Sequence, residues 1–338
     1  MPKENISLTS SEIGSLWTSY MNDSMSKCVL SFMIKHVHDE DIYPVIEQAL
    51  TLTKAHLEKL TLLFQAENYA IPTGFTESDL NPNAPSLYTD TFCLTYINHM
   101  AKVGMLGNSG FLSMSAREDL IDFYTSALVE TTKLYNQGTK IALEKGVYVR
   151  SPYIPVPQKI DFIDKKNYFS GFSFLNKQRP LNSIEISHLF MNIQTNLIGM
   201  KLALSFAQTS PLKAVQEFMI RGSEISQKHV KVFSGTLLDN HIPSPISSDV
   251  CITDSTIPPF SDKLMMFHMS LLSATGTGNY ALAASASQRS DIVLNYERLS
   301  IEIGQYAKTG ANIMIENNWL EQPPGTTDKE KLAYHKNS

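Results

Sequence analysis

Cysteine is scarce in this chain: three residues in 338, Cys28, Cys93 and Cys251, set far apart. They form neither the paired spacing of a zinc site nor the even set of a disulfide framework. Cys28 and Cys93 stand among apolar neighbours, where buried thiols are expected, and a reducing, cytoplasmic compartment fits this usage best. Charge is modest too. A net charge of −5 leaves no basic excess of the kind that binds nucleic acid. No run of about 18 apolar residues is present to span a bilayer. The opening residues MPKENISLTSSE carry one lysine with no apolar stretch after it, so no secretory signal is expected. Also missing are a glycine-rich phosphate loop, a Ser-His-Asp order and a redox cysteine pair. No motif specifies a reaction.

What the chain does have is a diverged internal duplication of residues 8–147 as 181–319. Leu8, Glu12, Ile13 and Leu16 match Leu181, Glu185, Ile186 and Leu189 at an offset of 173, and His56 matches His229. From Asp90 onward the offset is 172, pairing Gly104 with Gly276, Arg117 with Arg289, Asp119 with Asp291, Tyr124 with Tyr296, Glu130 with Glu302 and Gly138 with Gly310. The one-residue change falls in a stretch that reads as a loop, where length changes are tolerated.

Each repeat reads as four long helices. In the first repeat they run from Thr9 to about His36, Asp41 to Asn68, Thr89 to Leu112 and Ala116 to Val147. Thr9 with Glu12, and Asn182 with Glu185, have the spacing of a capping box. Ser210-Pro211 marks the start of the second helix in the later repeat. The links between first and second and between third and fourth helices are short, which predicts antiparallel hairpins. About 20 residues rich in Pro, Asn and Ser separate the hairpins. At about 3.3 Å per extended residue that length spans a helix of about 42 Å. The expected fold is therefore all-α: two tandem ferritin-like four-helix bundles, each with a long crossover between its second and third helices. The expected organisation is a bundle over 1–148, a Pro- and aromatic-rich linker over 149–180, a second bundle over 181–322 and a polar tail over 323–338. Tyr168, Phe169, Phe172 and Phe174 in the linker are expected to pack between the bundles.

His56 lies on the inward heptad line of Ile42, Ala49 and Leu63, and His229 lies between Ile225 and Phe233. Glu130 and Glu302 sit at mid-helix near the apolar stripe of the fourth helix. An inward histidine facing a glutamate can hold iron, manganese or zinc. It can equally form a buried hydrogen-bonded pair, and that structural reading is preferred. A carboxylate di-metal bundle also needs Glu-x-x-His on two helices. Thr53 and Ser226 stand three residues before the histidines, and Lys133 and Gln305 three after the glutamates, so the ligand set is incomplete. The lone Glu185-Ile-Ser-His188 lies at a helix start where Glu185 caps. Arg117-Asp119 and Arg289-Asp291 read as ion pairs at a helix start, Asp90 and Asp262 as caps, and Leu264-Met-Met-Phe-His-Met269 as core. Gly104, Gly107, Gly276 and Gly278 are expected to break up the third helices.

The stretches LTSSEIGSLWTSYMNDSM, GFTESDLNPNAPSLYTDTF, SMSAREDLIDFY, YVRSPYIPVP, PFSDKLMMFH and GANIMIENNWLEQPP resemble the tandem-repeat members of domain of unknown function family 3231. The resemblance covers nearly the whole chain. It implies a ferritin-like fold and a Bacillus-type spore-forming host, with a spore-coat label on some relatives, and it carries no catalytic residues over. The leading expectation is a non-enzymatic scaffold or binding protein with a degenerate metal site, no cofactor, and an unidentified protein partner or self-association. The rivals are a metal-dependent redox or storage protein using the His/Glu pairs, and a carrier of a small apolar ligand between the helices.

Overall fold

In the computed structural model, which describes residues 6–171, 178–245 and 251–334, the chain is all-α. The first half contains α1 (Ser10–His36), α2 (Tyr43–Ala66), α3 (Asp90–Ser113) and α4 (Glu118–Glu144). The second contains α5 (Ser183–Thr209), α6 (Lys213–Leu238), α7 (Asp262–Ala286) and α8 (Ser290–Glu316). A short α9 (Lys329–Tyr334) lies in the tail. The helices pair as hairpins α1–α2, α3–α4, α5–α6 and α7–α8, and the long crossovers run from 67 to 89 and from 239 to 261, as the spacing predicts. None of the described helices is long and apolar enough to cross a membrane.

Both capping boxes form, and each does more than cap its own helix. Glu12 accepts from the Thr9 amide and hydroxyl at 2.8 and 2.9 Å, and also from the amides of Ala116 and Arg117, both at 3.0 Å. Glu185 repeats this with the amides of Asn182, Gln288 and Arg289, and adds Arg179 at 2.7 and 2.8 Å. One carboxylate thus serves the open N-termini of two helices, tying the first helix of each half to the fourth. Burial alone would raise the Glu12 pKa, but the amides outweigh it and hold it at about 2. Arg117 and Arg289 form bidentate pairs with Asp119 and Asp291, as the local spacing suggests.

Asp90 and Asp262 are not caps. Thr89 and Ser261, one residue earlier, accept from the amides of Phe92 and Leu264 and take that role. This releases the Asp90 carboxylate to accept from the amides of His38 and Asp39, which fixes the α1–α2 turn. Asp262 instead accepts from the Ser210 hydroxyl beside the α5–α6 turn. The glycines of α3 and α7 do not interrupt them, since both helices are continuous.

The halves join through their crossovers. Isolated antiparallel bridges link Leu80 to Phe260 and Tyr88 to Ile252, and the Asn81 amide donates to the Pro259 carbonyl at 2.8 Å. Below them Tyr88 meets Ser205 at 3.0 Å, and Tyr96 meets His268, its counterpart in the repeat, at 3.1 Å. A single apolar core runs through this junction from Met25 and Phe32 to Phe206, Met265 and Met266. The Met-rich run of α7 is therefore core. Cys28 and Cys93 are buried thiols.

The linker departs from expectation. Phe169 is half exposed, and Tyr168 lies under the Arg179 guanidinium at 4.1 Å rather than between bundles. Arg179 is already anchored by Glu185, so the ring follows the cation; Phe172 and Phe174 lie outside the described residues. Just past α8, Glu321 accepts from the amides of Thr73 and Gly74.

The matched glycines Gly138 and Gly310 mark close approaches. A Cβ on Gly310 would sit 2.7 Å from the Phe218 ring, which is stacked on Tyr306 with centroids 4.1 Å apart. Gly310→Ala is expected to cost about 1–3 kcal/mol through overpacking. Its denaturant midpoint checks this, because a helical Gly→Ala change without the clash would instead stabilise by up to about 1 kcal/mol.

Candidate functional site

The helix periodicity that turns His56 and His229 inward brings each beside its predicted glutamate. The two repeats then diverge around them. His56 lies between two carboxylates, with Nδ1 3.5 Å from Asp23 of α1 and Nε2 3.7 Å from Glu130 of α4. His229 is fully buried, with Nδ1 2.9 Å from the Tyr280 hydroxyl and Nε2 3.1 Å from Glu302. Lys228 also donates to both oxygens of Glu302, at 2.9 Å.

Three substitutions account for the difference. Asp23 corresponds to Asn196, Ala55 to Lys228 and Asn108 to Tyr280. Burial opposes protonation of His56, but Asp23 and Glu130 outweigh it and raise its pKa. At His229 burial dominates, and Glu302, already neutralised by Lys228, does not restore the charge, so the pKa is lowered. The first half thus favours the protonated ring between its carboxylates. The second holds a neutral imidazole in a chain from Asn196 through Tyr280 and His229 to Glu302, with the Asn196 amide donating to Tyr280 at 2.7 Å.

The donors do not converge as a metal centre requires. The two nitrogens of His56 address carboxylates on opposite sides of the ring, and the nearest carboxylate to His229 already carries an ammonium. Among the described residues no group of three or more His, Cys, Asp or Glu side chains is placed to hold a metal ion.

Beside His56 the first half contains a cavity of about 500 Å³. Its walls are mainly apolar, among them Leu30, Ile97, Met100, Phe111, Phe123 and Leu134. Asp23, His56 and Asn108 are among its polar lining, and Thr275 and Asn279 of α7 reach it from the second half. Gly104 and Gly107, named from the sequence for another reason, line it too. In the second half three of the corresponding positions carry larger buried groups: Tyr280 for Asn108, Ile303 for Thr131 and Tyr306 for Leu134. The Tyr280 ring packs against Phe233 and Tyr296 at 5.3 and 5.6 Å. Sequence reading missed Asn108 and Tyr280, whose signal was a mismatch between repeats rather than a match.

A family model described as protein of unknown function (DUF3231) matches residues 1–160 and again 169–332. A crystal structure described as "a putative spore coat protein" from Bacillus halodurans C-125 is similar at 18% identity and a TM-score of 0.40, over 44% of this chain and 98% of its own. A search of curated proteins finds no match.

Proposed function

We propose, from the premise that this chain belongs to the DUF3231 family of proteins of unknown function, that it is a non-enzymatic binding protein whose first half receives a small, mostly apolar molecule. The second half is a filled copy that braces it. The observation that carries this reading is the asymmetry: one repeat keeps a mainly apolar cavity of about 500 Å³ with polar groups in its lining, while the other carries larger buried side chains at the positions of Asn108, Thr131 and Leu134. A concave, largely apolar site with few polar groups is the usual form of a small-molecule pocket. The His/Glu pairs serve here as polar anchors rather than ligands of iron, manganese or zinc.

Titration with toluene, followed by calorimetry, tests the cavity itself. One equivalent per chain is expected, and at a hundredfold excess over Kd about 2.7 kcal/mol of added stability; absence of binding both by toluene and by a hydroxylated ring of the same shape overturns the reading. Elemental analysis of protein purified without chelators tests the anchors. One or two equivalents of metal, lost in the His56→Ala/His229→Ala double variant, would replace this proposal with a metal-dependent one. Metal that is substoichiometric and indifferent to that variant supports it.

A further inference from the structure

In the second half, the position of the first-half cavity wall at Asn108 is occupied by a tyrosine, and the contacts of that tyrosine describe a ligand. Tyr280 presents a phenol to a histidine and an amide from two other helices: its hydroxyl accepts from Asn196 Nδ2 and lies 2.9 Å from His229 Nδ1. Its ring is enclosed by Phe233, Tyr296 and the His229 imidazole. Every polar member of this arrangement has a counterpart on the cavity of the first half. His56 replaces His229, Asp23 replaces Asn196, and Asn108 replaces Tyr280 itself; all three line the cavity.

The phenol is therefore the missing piece. Without it Asp23 and His56 face each other directly, at 3.5 Å, longer than a good hydrogen bond. Asn108 turns instead to Thr131, donating at 3.3 Å. We infer that the first-half cavity is a site for a small phenol, a single aromatic ring bearing a hydroxyl, for which Tyr280 is the built-in analogue in the second half. The hydroxyl would enter between Asp23 and His56, donating its proton to the Asp23 carboxylate and accepting from His56 Nδ1. One O–H group then meets both neighbours, which a carboxylate or an amine of the ligand would not: the first would be repelled by Asp23, and the second would offer no acceptor to His56 once protonated. Phe111 and Phe123, standing where the second half has Ala283 and Asn295, supply aromatic walls that the second half takes from elsewhere.

The inference rests on the cavity reading above and is tested apart from it by two probes of one shape. p-Cresol is the tyrosine side chain itself, and toluene is the same molecule without the hydroxyl. Calorimetry on the full chain should show one equivalent of p-cresol, bound about tenfold more tightly than toluene, the factor expected of hydrogen bonds to charged groups. Asn108→Tyr, which writes the second half's residue into the first, should abolish binding of p-cresol. Equal or weaker binding of p-cresol than toluene overturns the phenol assignment and leaves the cavity reading standing. Failure of both probes overturns both. Full p-cresol binding by a folded Asn108→Tyr variant overturns the placement. Should that variant not fold, Tyr280→Ala provides the second measurement, because emptying the built-in phenol is expected to raise the stoichiometry from one p-cresol to two. A stoichiometry that stays at one overturns the analogy.

Discussion

Glu185→Gln is expected to lower stability by about 3–5 kcal/mol, the range for breaking a buried ion pair from one side. The Glu185 side chain is fully buried and receives five donors: the two terminal guanidinium nitrogens of Arg179 and the amides of Asn182, Gln288 and Arg289. A carboxamide replaces one acceptor oxygen with an NH₂ group aimed at those donors, so it loses bonds and adds repulsion. Arg179 is left charged against a neutral partner. Glu12→Gln serves as the internal control. Its carboxylate binds backbone amides and the Thr9 hydroxyl with no arginine, so a smaller loss of about 1–3 kcal/mol is expected. Denaturant midpoints of the two variants measured side by side decide the matter. A Glu185→Gln loss under about 1 kcal/mol, or one no larger than that of Glu12→Gln, would show that Arg179 finds other solvation and that the node does not hold α5 to α8.

How much of this could be read from residues alone depends on the range of the interaction. The capping boxes at Thr9 and Asn182 were legible because partner and cap are three residues apart. The second task of Glu12 and Glu185, reaching amides more than a hundred residues away, leaves no periodic trace. The crossovers were legible from their length between two short turns, whereas the bridges that join them at Leu80–Phe260 and Tyr88–Ile252 involve only isolated residues, too few to show alternation. Asp90 read as a cap because an acid at a helix start is favourable in either role; only the fold shows that Thr89 caps and Asp90 reaches the α1–α2 turn. The inward placement of His56, Glu130, His229 and Glu302 followed from heptad position. The opposite shifts of the two histidines did not, because these depend on Asp23, Lys228 and Tyr280, residues at which the repeats disagree. Aligning repeats for identity draws attention to shared architecture. The structural difference between the halves lies in the positions such an alignment discards.

Acid should begin to destabilise this protein near pH 6.5, before its carboxylates start to protonate. His99 and His268 are buried on facing parts of α3 and α7, and each has a ring nitrogen without a hydrogen-bond partner: Nε2 of His99 and Nδ1 of His268. Burial pushes their pKa values down, to about 4 for His99, with Lys102 adding to the effect, and to about 3 for His268, with His99 adding. In the unfolded chain both titrate near 6.5. Between pH 6.5 and about 4, the unfolded state therefore binds about two more protons than the folded state, so stability rises with pH across that window and falls on acidification. At about 1.4 kcal/mol per pH unit per group, going from pH 6.5 to 4.5 costs about 5 kcal/mol. His36, His188 and His229 are shifted the same way and steepen the loss. His56 acts in the opposite direction but elsewhere: its pKa is raised, so its contribution is present below 6.5 and is lost as pH rises through the folded value. Glu12, held at about 2, begins to withdraw its support only below about 4.5. Denaturation curves at half-unit steps from pH 7.5 to 4.5 measure the slope directly. A slope of less than one proton would refute the burial account of both histidines. His99→Leu, which installs the residue found at the equivalent position Leu271, separates them. It should remove about one proton from the slope and leave stability at pH 7.5 unchanged or higher, since it replaces an unpartnered buried nitrogen with an apolar group.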